Sequence, residues 1–315
     1  MPALFELVSV THRYGRHTAL YDVSLTVRCG AMGLVGQNGA GKSTLIHLLL
    51  GLIRPTAGAV KTLSHEPGEE ATSFRGSVGF MAERESLLPG LKGIEYVALA
   101  GRLSGMPRRD AQRRAHETLF YLGLEESRYR AVEHYSVGMK QRLKLAAALV
   151  HDPDLLLLDE PTAGLDPDGR AAMLDVLAAL AARPGKSLVL STHLLSDVER
   201  ICEEAIFLDR GRVVAVGPIG PMRTASVGAY RLRWRGDAAG MLAGLRDRGV
   251  EVHASTRPGE ARVVVHRDWA PRDFFAAARE ANVLLTGLDR EEEDLEDVYR
   301  RLIGVGARSG GGRNG

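Results

Sequence analysis

GQNGAGKST, residues 36–44, follows a short apolar segment at 33–35 and precedes a helical pattern at 43–52. It fits G-x-x-x-x-G-K-[ST], in the order strand, glycine loop, helix that a phosphate-binding loop requires. The glycines let backbone N–H groups turn toward phosphate oxygens, and the helix N-terminus adds a field that favours anions. Gly36, Asn38, Gly39, Ala40, Gly41 and Thr44 are therefore candidates for gripping a triphosphate. Lys42 is expected to reach its β- and γ-phosphates, and Ser43 to ligate Mg²⁺. A mere glycine-rich turn with an exposed lysine would not need a strand before it and a helix after it.

Further along stands LLLLDEPTAGLD, residues 155–166. Four leucines predict a buried strand, and its end delivers Asp159 toward the Mg²⁺ through a water. Glu160 follows at once and is placed to orient or deprotonate an attacking water. An isolated Asp-Glu pair at a strand end is commonly just solvated. With the phosphate loop upstream, the pair completes one site.

Working outward, residues 4–10 and 19–27 alternate apolar and polar side chains, the period of half-buried strands. Residues 94–149 read mostly as helix, with breaks at 105–107 and 123–127. An amphipathic helix at 167–182 closes on Pro184-Gly185. It is followed by a strand at 187–191, a helix at 196–202 and a hairpin of 205–209 with 212–215. This alternation predicts an α/β domain with a mainly parallel sheet over residues 1–218, with a helical subdomain at about 85–150. Gly, Pro and small residues at 217–228 mark an expected boundary. Beyond it, strands at 230–234, 250–255, 262–266 and 283–288 and helices at 238–248 and 271–281 give the order βαββαβ. That order predicts a small α+β, ferredoxin-like domain over 229–303, with a last helix at 295–303. The Gly, Ser and Arg-rich tail 304–315 is expected to be disordered.

Composition narrows the function. The 315 residues are 45% apolar and 25% charged, with 41 basic against 39 acidic side chains and a net charge of +2. These are the proportions of an ordinary globular chain. They lack the basic excess of a nucleic-acid binder, so no nucleic-acid partner is expected. No stretch reaches the ~18 apolar residues of a membrane span. The opening MPALFELVSV has no basic region before its apolar residues and does not read as a signal peptide. Cys29 and Cys202 form no disulfide framework, which fits a reducing compartment. The arginine pairs at 108–109 and 113–114 read as a solvated helix face.

Over residues 4–218 the chain resembles the nucleotide-binding subunit of the ABC transporter superfamily. The resemblance implies a P-loop NTPase fold, ATP and Mg²⁺ as ligands, and ATP hydrolysis between two copies of the cassette. Tyr14 matches the aromatic that stacks on adenine in the family. His193, after the strand at 187–191, matches the histidine that touches the γ-phosphate and supports catalysis. Asp166 matches the loop that crosses to the second cassette. YSVGMKQR, residues 135–142, stands where LSGGQ-x-Q-R falls in the family. Ser136 and Gly138 match, whereas Val137 and Met139 replace the usual Gly and Gln. In the family this segment caps the ATP held by the opposite copy, although Ser136 taken alone would equally suit a helix N-cap.

Glu83 stands at the position of a glutamine that senses Mg²⁺ and the membrane partner. A carboxylate can ligate Mg²⁺ as well but adds negative charge beside the triphosphate. Glu83, the YSVGM segment and DLEDVYRRL at 294–302 resemble the branch of exporters whose permease is a separate six-helix chain. The resemblance thus implies an integral-membrane permease and a second cassette as partners, at the cytoplasmic face of the cell membrane. The competing expectation is an ABC-type ATPase uncoupled from transport. Such proteins tend to carry tandem cassettes or long insertions, but here the cassette occurs once and only about fifty residues separate Glu83 from Tyr135. A chain that only bound ATP would be expected to lack Glu160. The C-terminal domain is expected to serve regulation or dimer stability.

Overall fold

A computed structural model describes residues 3–28, 30–66, 74, 76–84, 87–223, 225–255, 257–265, 269–292, 295–296, 298–300 and 302–303. Cys29, His266, Asp294 and the tail 304–315 lie outside the described residues. The chain divides into two compact units, one reaching Ile219 and the other spanning Gly220–Gly304.

The first unit holds two sheets. Strands β1 (Phe5–Tyr14), β2 (His17–Val27) and β4 (Ala57–Thr62) form an antiparallel sheet in the order β2-β1-β4. The larger sheet also contains β3 (Ala31–Val35), β5 (Val78–Met81), β6 (Leu155–Asp159), β7 (Ser187–Thr192), β8 (Glu204–Asp209) and β9 (Arg212–Pro218). Its order is β5-β6-β7-β3-β8-β9, parallel except for the edge strand β9. All residues of β6 and β7 are buried. Their unbroken apolar runs suit strands covered on both faces.

The helices of this unit include α1 (Lys42–Leu49), α2 (Gly93–Leu103), α3 (Arg108–Tyr121), α4 (Val137–Leu149), α5 (Pro167–Ala181), α6 (Leu195–Ile201) and α7 (Ile219–Met222), whose last residues enter the second unit. Helix α1 joins the sheets. Its Leu45, Ile46, Leu48 and Leu49 share one core with Leu7, Val10 and Leu20 on one side and Leu155, Leu157 and Val189 on the other. Helix α5 starts on Asp166 as N-cap with Pro167 at its first position, and Met173, Leu174, Leu177 and Leu180 are its buried stripe.

Register fixes where the strands end. Met81 pairs with Leu158, Asp159 with Ser191, and Val35 with Thr192. Four parallel strands thus finish at one level, and whatever follows them gathers in the crevice beyond their carboxyl ends.

The second unit contains β10 (Ala225–Arg235), α8 (Ala239–Asp247), β11 (Glu251–Ala254), β12 (Glu260–Val264), α9 (Pro271–Glu280) and β13 (Leu284–Glu292). The antiparallel order β11-β12-β10-β13 is the ferredoxin-like arrangement that the βαββαβ sequence requires. Leu232, Met241, Leu245, Val263 and Phe274 form its core. The described residues from 295 to 303 are helical.

Two features differ from the sequence reading. The third strand of the antiparallel sheet, β4, lacks an alternating signal, because three of its six residues are small and exposed and its place comes from pairing with β1. The Gly and Pro-rich stretch at 217–228 carries regular structure, with the end of β9, then α7, then the start of β10. Pairing of Ala225 with Glu292 takes that backbone into a sheet despite poor strand propensity.

Gly79 in β5 lies against the carbonyl end of α4, and a Cβ there would meet the Ala148 carbonyl oxygen at 2.2 Å. Gly79→Ala is expected to cost about 1–3 kcal/mol through overpacking, read as a lower urea midpoint with an unchanged slope.

Candidate active site

The loop after β3 is shaped by its glycines. Gly39 and Gly41 have φ of +82° and +108°, in the region that side chains disfavour. A Cβ on Gly41 would strike the Ala19 carbonyl oxygen at 2.7 Å, so the loop can lie against β2 only with glycine there. Gly41 is the N-cap of α1, which leaves the first N–H groups of that helix directed at the loop. Lys42 is buried, and its ammonium donates to the carbonyls of Gly36 at 2.7 Å and Gln37 at 3.4 Å. It also stands 3.7 Å from Glu160 Oε1.

Asp159 ends β6 and Glu160 follows it, both as buried carboxylates. The Ser191 hydroxyl donates to Asp159 Oδ1 at 2.7 Å. Glu160 adopts φ of +48°, unusual for a residue with a side chain, and its N–H donates to the Ser191 carbonyl at 2.9 Å. The turn swings its carboxylate onto the end of β7. There the His193 backbone N–H donates to Oε1 at 3.0 Å, and His193 Nδ1 lies 3.0 Å from both oxygens. The Thr192 hydroxyl donates to Oε2 at 3.4 Å.

These groups open on a cavity of about 380 Å³ lined by Tyr14, His17, Ala19, Asn38, Gly39, Gly41, Lys42, Ser43, Thr44, Glu83, Asp159 and Glu160. Tyr14 and His17 face one another across the β1–β2 turn. Tyr14 is half exposed, with its ring edge-on to His12 at 4.6 Å. Gly36 and Ala40 belong to the loop without lining the cavity, and His193 reaches it through Glu160. His17 and Ala19 went unremarked in the sequence. Reading Gly15-Arg16 as a two-residue turn would have pointed to His17 opposite Tyr14.

Ser136, Gly138 and Asp166 lie outside this cavity. Ser136 is the N-cap of α4, accepting the Met139 N–H at 3.3 Å, and Asp166 accepts the Gly169 N–H at 2.9 Å. Both cap residues are exposed. Their loops are nonetheless tied to the site. Gln141 of α4 donates through Nε2 to the Ala163 carbonyl at 2.8 Å. Asp197 of α6, fully buried, accepts the Thr162 hydroxyl at 2.7 Å and Arg170 Nε at 2.9 Å. That carboxylate thereby clamps both ends of the segment bearing Asp166 to the helix that follows His193. No spacing in the sequence signals Asp197, because its partners lie 35 and 27 residues away.

Comparison with known proteins gives this arrangement its family. The ABC transporter family profile matches residues 20–163. The Nod factor export ATP-binding protein I of Cupriavidus pinatubonensis is 35% identical, over 96% of this chain and 92% of its own length. The chain belongs to the ABC transporter family. The daunorubicin/doxorubicin resistance ATP-binding protein DrrA of Streptomyces peucetius is also 35% identical, over 92% of this chain and 89% of its own. Among solved structures, the dimeric post-hydrolysis state of the cassette MJ0796 bound to ADP and Pi superposes with a TM-score of 0.63 at 27% identity. It covers 68% of this chain and 98% of that one. The chain is an ATP-binding subunit of an ABC transporter, a cassette of the kind that hydrolyses ATP. No helix among its described residues is long and apolar enough to cross a membrane.

Asp197→Ala strands the Thr162 hydroxyl and removes the carboxylate that pairs with Arg170. With the arginine partly exposed, a loss of about 2–3 kcal/mol is expected in chemical denaturation, toward the low end for a broken buried pair.

Proposed function

We propose that two copies of this cassette close face to face on two ATP molecules and open again on hydrolysis, driving export through a separate integral-membrane permease. The observation that carries the catalytic part is the grouping of Lys42, Asp159, Glu160 and His193 at and just beyond the carboxyl ends of three adjacent strands. In this reading Tyr14 stacks on the adenine, a contact indifferent to base identity, since every base offers a π-face. Gly36, Asn38, Gly39, Ala40, Gly41 and Thr44 surround the phosphates, and Lys42 swings its ammonium from the loop carbonyls toward the β- and γ-phosphates. Glu160 takes a proton from water as the water oxygen bonds to the γ-phosphorus and the bond to the β-phosphate bridging oxygen breaks. His193 holds the Glu160 carboxylate in place through its N–H and ring nitrogen and faces the γ-phosphate.

Ser43, Asp159 and Glu83 all line the same cavity and offer a hydroxyl and two carboxylates, the oxygen donors that suit Mg²⁺. Mg²⁺ bound there would neutralise charge on the β- and γ-oxygens.

Ser136 and Gly138, at the exposed start of α4, and Asp166, at the exposed start of α5, meet the nucleotide of the opposite copy. Donors supplied in trans make hydrolysis depend on dimerisation, much as an arginine finger does. Export is supported by the relatives, whose names describe Nod factor export and daunorubicin resistance. A position at the cytoplasmic face of the membrane follows from the need to meet both ATP and the permease.

Glu160→Gln tests the catalytic assignment. Turnover is expected to fall by roughly 10²–10⁴ while ATP affinity stays near that of the parent. With hydrolysis stopped, ATP should convert the variant from monomer to dimer in light scattering. Parental turnover in this variant would refute the role given to Glu160. An ATP-loaded variant that stayed monomeric at all concentrations would refute the sandwich.

A further inference from the structure

A buried ammonium ties the loop that carries Glu83 to the helix that starts at Ser136. Lys144 of α4 is only 6% exposed. Its Nζ donates to the carbonyl oxygens of Ala82 at 2.7 Å and of Glu83 at 3.0 Å. Burying a lysine is costly unless acceptors replace its water, and here the acceptors are the carbonyls of two successive peptide units that flank the Glu83 Cα. Gln141 lies three residues earlier, on the same face of the helix, and holds the Ala163 carbonyl. One helix face therefore grips two loops that end adjacent strands, the Glu83 loop after β5 and the 161–165 loop after β6.

The Glu83 side chain has rotatable bonds, but its root does not drift while both carbonyls are held. We propose that Lys144 is a positioning residue for Glu83. It fixes the base of that carboxylate on the wall of the phosphate cavity and makes it follow α4, whose N-terminus bears Ser136 and Gly138. The cavity of one copy is then coupled mechanically to the helix end that meets the other copy's nucleotide. This inference rests on the reading of Glu83 as an oxygen donor to Mg-ATP.

The test uses the full chain, a fluorescent non-hydrolysable ATP analogue titrated with Mg²⁺ or with EDTA, and hydrogen exchange of a peptide covering residues 78–84. In Lys144→Met, the gain in affinity that Mg²⁺ confers should fall about tenfold, the usual size of an outer-shell effect, while affinity in EDTA stays within about twofold. Exchange in the 78–84 peptide should quicken. Lys144→Arg, which keeps a cation and donors, should recover most of the Mg²⁺ gain. Parental Mg²⁺ gain and parental exchange in Lys144→Met would overturn the proposal.

Glu83→Ala separates the two ideas. If it keeps the parental Mg²⁺ gain, the reading of Glu83 as a donor fails, and Lys144 cannot act through it. If Glu83→Ala loses the gain and Lys144→Met added to it removes nothing more, Lys144 acts through Glu83. A further loss in the double variant would mean an independent role and would overturn the proposal.

Discussion

The level at which four parallel strands stop is the constraint on which the site depends. Because side chains alternate faces along a strand, a slip of one residue in β6 against β7 would turn Asp159 into the core or away from the crevice. The slip is prevented by burial on both faces. Leu155–Asp159 and Ser187–Thr192 contain no exposed residue, so every alternative register would have to repack apolar side chains on two sides at once. The chemistry of the strand ends is thus held by the packing of their middles.

Once the strand ends are aligned, the electrostatics are close-range. Lys42 and Glu160 are both buried and 3.7 Å apart, and each is held by further partners, the ammonium by loop carbonyls and the carboxylate by His193 and Thr192. A buried pair of this kind is poor evidence for stability, since desolvation offsets much of the attraction. The left-handed backbone of Glu160 points the same way. Strain of that order costs stability, and here it accompanies a turn that directs the carboxylate across to the end of β7.

The segments outside the cavity are not independent of it. Gln141 and Lys144 connect α4 to the loops after β6 and β5, and Asp197 connects the loop after β6 to α6. The exposed caps Ser136 and Asp166 therefore sit on a framework of buried polar contacts that reaches the loops after β5 and β6. Hydrogen bonds made in a buried, low-dielectric setting are strong, so these contacts tie the exposed caps to the loops after β5 and β6.

The phosphate loop, the Asp-Glu strand end and the ferredoxin-like order of the second unit were legible in the residues alone, because each is local. A glycine pattern dictates backbone shape, an unbroken apolar run dictates a buried strand, and βαββαβ admits few sheet orders. Resemblance to the family singled out Tyr14 and His193, which no spacing would have chosen. The chain alone could not disclose β4, whose small residues take strand form only by pairing with β1, nor the regular structure within the Gly and Pro-rich stretch at 217–228. It was equally silent on His17, Lys144 and Asp197. Their partners lie three, about sixty and about thirty residues away, and nothing in a linear pattern records which side chains meet once the strands have set their register. Chain order specified the parts of the site, and tertiary packing decided which buried charges hold those parts at working distance.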